Sequence, residues 1–179
     1  KKPHVSLLTK KRNKKIREQA KRQQNYIRST RSIRRSQFNF FRTCHHNNIQ
    51  ASSIHFVTLT FAYDLTFKTA TRLVARFMGR YKERFKEIPI SYISVPELTK
   101  KGRFHFHLLV YDLPPETASV ERETRNIQRL FERGYVDLCP TTHTSAGIAG
   151  YMAKYMGKAL VTFKNENTRG YTCSRNIKK

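Results

Sequence analysis

The stretch IPISYISVPELTKKGRFHFHLLVY, residues 88–111, decides the fold. Two β-rich runs, residues 90–96 and 103–111, flank Leu98-Thr99-Lys100-Lys101-Gly102, which predicts a hairpin. Side chains alternate across a strand, so His105 and His107 point one way while Phe104, Phe106 and Leu108 point the other way into a core. Two imidazoles two residues apart on a strand can reach one metal ion. Glu97 closes the first strand, and the loop can fold it back beside them. Two nitrogens and one carboxylate leave positions open for a phosphate oxygen on a Lewis-acid metal. By spacing alone, Glu97 reads equally as an exposed hairpin acid and the histidines as a chance pair.

Upstream, IHFVTLTF at residues 54–61 is a strand. Phe56 or Val57 opens an alternation that ends in Leu59 and Phe61. Residues 67–87 predict a helix whose stripe is Leu73, Phe77, Tyr81 and Phe85, stopped by Pro89. Downstream, Pro114 and Pro115 open a helix over about residues 116–132, ended by Gly134. A short strand at 135–139, a helix at 145–160 and one more strand near Tyr171 follow. The order β-α-β-β-α-β-α predicts an α+β fold: a ferredoxin-like split βαβ with an antiparallel sheet and helices on one face.

The last helix carries GYMAKYMGK at residues 150–158. Ile148, Met152, Met156 and Leu160 recur every four residues and predict a buried face. Tyr151 and Tyr155 share the neighbouring stripe, and Lys154 and Lys158 each follow a tyrosine by three residues. A phenol with its ordinary pKa of about 10 is a poor nucleophile at neutral pH. Nearby cations would favour its phenolate and the charge developing on a phosphate. The plainer reading is a core helix with tyrosines at its rim; the tandem YxxK pattern argues for the chemical one.

The formal net charge is +24, unevenly spread. Residues 1–50 hold 15 Lys and Arg, among them Arg12, Arg17, Arg31, Arg34 and Arg35, against the single acid Glu18. Such charge calls for a polyanion. No apolar run is long enough to span a bilayer, so the expected partner is nucleic acid and not a membrane. Residues 1–50 read as a basic arm whose sparse apolar stripe, Ile16, Ala20, Ile27 and Ile33, forms a weak helix; a solvated tail fits equally. Residues 51–179 read as the folded domain. Cys44, Cys139 and Cys173 form no CxxC pair and point to a reducing compartment. Cys44-His45-His46 is not a complete metal set, and His143 reads as a capping-loop histidine. The chain opens on Lys1 and not methionine, which leaves room for residues ahead of it.

FVTLTF at 56–61, Glu97 with HFH at 105–107, and YMAKYMGK at 151–158 resemble, in order, the three motifs of the HUH rolling-circle replication initiators. The likeness is greatest to the two-tyrosine type of single-stranded DNA phages and plasmids. It covers about residues 54–160, with YTCSR at 171–175 a further similarity. The resemblance implies a metal-dependent endonuclease and strand transferase acting through a 5′-phosphotyrosine. Tyr151 and Tyr155 would be its nucleophiles and Lys154 and Lys158 its phosphate partners. Glu97, His105 and His107 would hold magnesium or manganese. Thr58, Thr60 and Arg103 would line the DNA. It also implies a single-stranded origin with a hairpin, and a place in the cytoplasm of a bacterial host cell. The residues contain no GxxxxGK[ST] loop, so unwinding and synthesis would fall to a host helicase and polymerase. The rival readings are a non-enzymatic RNA- or DNA-binding protein with an RRM-like sheet, for which Gly102-Arg103-Phe104-His105-Phe106 has some similarity to an RNP segment, and a tyrosine transposase of the same chemistry.

Overall fold

The computed structural model describes residues 7–113, 120–140, 145–163 and 170–178, in two compact units, Lys1–Ser36 and Gln37–Lys179. Helix α1 (Leu7–Gln50) supplies the first unit and the opening of the second. In the first unit Arg17, Arg31, Arg34 and Arg35 are exposed, as like charges that repel one another require; the side chain of Arg12 lies outside the described residues.

The second unit continues with β1 (Ile54–Phe61), α2 (Phe67–Arg84), β2 (Ser91–Leu98), β3 (Phe104–Tyr111), α3 (Val120–Phe131), β4 (Gly134–Pro140), α4 (Ser145–Thr162) and β5 (Thr172–Cys173). It is an α+β unit built on a five-stranded antiparallel sheet of order β4-β1-β3-β2-β5. Strand β3 lies between β1 and β2, so the α2 crossover joins two strands that do not pair.

The helices cover both faces of this sheet, which corrects the expectation of helices on one face. On one side Phe61 meets Phe131 of α3 at 5.2 Å and Phe106 at 6.0 Å, and Phe77 of α2 meets Phe131 at 5.8 Å. On the other, Tyr155 of α4 meets His107 at 4.2 Å. Six successive residues of β3, Phe106 to Tyr111, are therefore buried, as befits a strand covered on both sides. The periodicity of β3 marks one apolar face; the buried Leu109 and Tyr111 among the histidines mark the second.

Much of the second cover comes from within the expected arm. Phe40, Cys44 and Asn48 recur every four residues along α1 and are buried, with Phe40 against Tyr171 at 4.8 Å. The side-chain amide of Gln37 donates to the Ala153 carbonyl of α4 at 3.3 Å. A Cβ at Gly157 would strike that same Gln37 side chain, so the glycine lets α1 and α4 approach. The compact unit thus opens at Gln37 and not at residue 51, because the aromatic and the thiol of this segment are needed in the core.

The remaining boundaries move little. Helix α2 starts at an N-cap, where the Thr66 hydroxyl accepts from the Thr69 N–H, and ends at Arg84. Its buried stripe is Ala70, Val74, Phe77, Met78 and Tyr81; Leu73 and Phe85 are only half-buried. Strand β2 runs on through Pro96, beyond the short β5 partner, where the missing N–H falls on an open edge. The buried Glu123 of α3 accepts from the Tyr81 hydroxyl at 2.8 Å and from the Asn126 amide at 3.1 Å, which ties α3 to α2. A Cβ at Gly134 would run into the Thr60 carbonyl, so this position must be glycine for β4 to enter beside β1. Pro114, Pro115, His143 and the first turn expected of α3 lie outside the described residues. No helix among the described residues is long and apolar enough to cross a membrane.

If residues 37–50 are core, Phe40→Ala should lower the free energy of unfolding in urea by about 3–5 kcal/mol, as large-to-small core substitutions do. A change below about 1 kcal/mol, as for a surface site, would return the segment to the arm.

Candidate functional site

The register of the sheet assembles the site. Glu97 of β2 stands opposite His105 of β3, and His105 stands opposite Thr60 of β1. One pleat along, Thr58 stands opposite His107. Alternation puts these five residues on the α4 face, while Leu59, Phe104 and Phe106 go to the other.

On that face the side chains form a chain of hydrogen bonds. His107 Nε2 lies 2.9 Å from Glu97 Oε2, and His107 Nδ1 lies 3.4 Å from the Thr58 hydroxyl. Lys158 Nζ donates to the other carboxylate oxygen, Glu97 Oε1, at 3.1 Å. Since an ionised carboxylate only accepts, the neutral His107 carries its proton on Nε2 and takes the Thr58 hydroxyl proton on Nδ1. Thr58, expected to line DNA, is thereby the residue that orients His107. Thr60 shares the row with His105, and Arg103 is exposed at the entry to β3.

The electrostatics follow from burial. His107 is only 5% exposed, and burial pushes its pKa below the ordinary imidazole value, against the pull of Glu97. Burial lowers His105 in the same way, with Glu97 again opposing. Burial pushes the Glu97 carboxyl up, but the hydrogen bonds and charges of His107 and Lys158 outweigh it and hold the group below the usual carboxylate value. At neutral pH the site is one carboxylate, two neutral imidazoles and one ammonium.

The tyrosines of α4 stand over this network. Their hydroxyls are 3.0 Å apart and their rings 4.9 Å apart. Tyr155 packs on His107 at 4.2 Å, with Lys158 Nζ 4.9 Å from its ring centroid. The hydrogen bond with Tyr151, then burial and the nearby Tyr151 and Glu97 charges, raise the Tyr155 pKa well above the phenol value. Tyr151 is 44% exposed, and Lys154 is exposed as well. Phe56 touches both halves, with its ring 5.6 Å from His107 and 5.5 Å from Tyr151. Sequence reasoning left Phe56 unassigned. Its place in FVTLTF, one step out of phase with Val57, Leu59 and Phe61, was the signal that could have found it.

Glu97, His105 and His107 supply one oxygen and two nitrogens on one face, a set whose chemistry suits a divalent cation. Glu97 and His107 touch, but the ring centroids of His105 and His107 are 6.4 Å apart, and Lys158 holds the second carboxylate oxygen. Among the described residues, no group of three His, Cys, Asp or Glu side chains is gathered closely enough to hold a metal ion. The donors therefore fit in kind, in an arrangement that a cation would have to draw together.

Among curated proteins nothing matches this chain. A solved structure, the hypothetical protein ORF119 from Sulfolobus islandicus rod-shaped virus 1, is similar at 13% identity with a TM-score of 0.46, over 64% of this chain and 91% of that one. The family model of the replication-associated proteins of the ORF2 type matches residues 54–160, from the first residue of β1 to near the end of α4. The match takes in every strand, histidine and tyrosine of the site, and the chain belongs to this family of replication-associated proteins.

Proposed function

We propose that the protein is an HUH nuclease with a ferredoxin-like split βαβ core, which nicks and rejoins single-stranded DNA to start rolling-circle replication. The observation that carries this reading is the pair of phenol oxygens, 3.0 Å apart on α4, standing over the His107–Glu97 pair. Membership of a replication-associated family supports it.

Tyr151 is the first nucleophile because it is the exposed member of the pair, whereas Tyr155 is packed on His107 and held in its neutral form. The Tyr151 oxygen forms a bond to the scissile phosphorus and the bond from phosphorus to the 3′ oxygen breaks. The phenol proton leaves by way of the Tyr155 hydroxyl to solvent, and the departing oxygen takes a proton from water to become a 3′-OH. In the second transfer Tyr155 takes its turn and the displaced strand is closed. Lys154 and Lys158 lie along the same helix face and balance the phosphate charge. Thr58 and Phe56 fix the ring of His107. Magnesium or manganese, held by Glu97, His105 and His107, would supply Lewis-acid polarisation of the phosphate. The partners are an origin with a hairpin and a host helicase and polymerase, in a bacterial cytoplasm.

A denaturing gel of the protein with single-stranded oligonucleotides and manganese tests the assignment. Tyr151→Phe should remove most of the initial covalent adduct. Tyr155→Phe should spare cutting and impair circle closure, and the double variant should form no adduct while still binding DNA. An adduct from the double variant would place the nucleophile elsewhere.

The basic residues ahead of the core should add affinity with little dependence on sequence. Each phosphate contact releases counterions, so deleting residues 1–36 should flatten the slope of log affinity against log salt. An unchanged slope would count against a DNA role for that segment.

Acid should loosen the site. The histidine pKa values are lowered on folding, so their contribution to stability is full above the ordinary value of 6.5 and is lost as pH falls through the folded values. Glu97, also lowered, adds a further loss below 4.5. The urea midpoint should drop between about pH 7 and about pH 5, and His107→Gln should flatten that drop. A wild-type midpoint flat over this range would contradict it.

A further inference from the structure

Lys158 follows the second tyrosine by three residues, which suggests a phosphate ligand, yet its ammonium is on Glu97. That carboxylate is only 23% exposed and has both oxygens engaged, one by His107 at 2.9 Å and the other by Lys158 at 3.1 Å. His107 is neutral near pH 7, because burial lowers it, so of these two partners only Lys158 brings a full positive charge. A half-buried carboxylate needs such a partner. The Lys158 side chain is itself 52% exposed and hangs over the Tyr155 ring, so it can swing back to water or to that ring at little cost.

We propose that Lys158 is a stand-in cation for Glu97: it holds the carboxylate beside His107 until a divalent cation displaces it, and its ammonium is then free for the phosphate at the tyrosines. This rests on the metal-dependent reading above and adds an order of events to it. Lys158 acts through Glu97, and is in that respect a positioning residue. The placement accounts for two observations together: the donors share a face without being gathered, and one carboxylate oxygen is already taken.

The test is manganese binding to the full chain in the absence of DNA, followed by the paramagnetic resonance signal of free Mn2+. Competition predicts that removing the lysine tightens binding. Lys158→Gln should bind Mn2+ about fivefold more tightly than wild type, the upper range for loss of a solvent-screened pair. Lys158→Arg, which keeps a cation, should stay near wild type. Lys101→Gln removes an equal charge from the neighbouring hairpin turn and should tighten binding by less than about twofold. A variant damaged in folding would bind more weakly, which is the opposite sign. Equal or weaker binding by Lys158→Gln overturns the stand-in role and leaves the metal reading intact. Failure of wild type and variant alike to bind Mn2+ at millimolar concentration overturns both.

Discussion

Strand β3 is held on both edges, by β1 in one register and β2 in another, and the rest of the second unit is arranged around that double pairing. Because side chains alternate with a period of two, a slip of one residue would exchange Phe104, Phe106 and Leu108 with His105, His107 and Leu109. The phenylalanines would lose the ring contacts with Phe61 and, through it, the packing on α2 and α3. The histidines would be driven among apolar rings without partners. The apolar side of the strand is therefore what fixes the polar side. Placement of the site residues is a consequence of core packing and does not require them to attract one another.

The second constraint is the position of α4. It is pressed on the sheet by Met152 and Met156, which are fully buried, and its back is met by Gln37 at Ala153 and Gly157. A helix packed on both sides presents its tyrosines at a fixed height over His107. The last third of α1 is thus a structural layer as well as the continuation of a basic helix.

The sequence made some of this legible and hid the rest for physical reasons. The hairpin and the alternation of β3 could be read because each strand's period appears in a few adjacent residues, and the Met152–Met156 face because four-residue spacing is local. The cover from α1 was hidden: Phe40 and Cys44 sit in a segment whose composition is dominated by charge, and two buried side chains barely change its average. The boundary of the core at Gln37 followed from contacts with residues far along the chain, Tyr171 and Ala153, which no local period encodes. In the site, the Glu97–His pairing was legible from the hairpin. The engagement of Lys158 with Glu97 was not, since it joins two elements 61 residues apart.

The hydrogen bond between Tyr151 and Tyr155 has a consequence for how charge is held on the helix. Two phenol oxygens 3.0 Å apart cannot both give up their protons without setting two negative charges side by side, so they ionise as one unit. Whichever oxygen is bare is steadied by the proton left on the other. The pair therefore carries a single shared vacancy, which can pass between the two positions by the shift of one proton across the gap. Exchanging their roles needs no turn of the helix and no new backbone conformation, and the rigid packing of α4 and the alternation of its two hydroxyls are compatible for that reason.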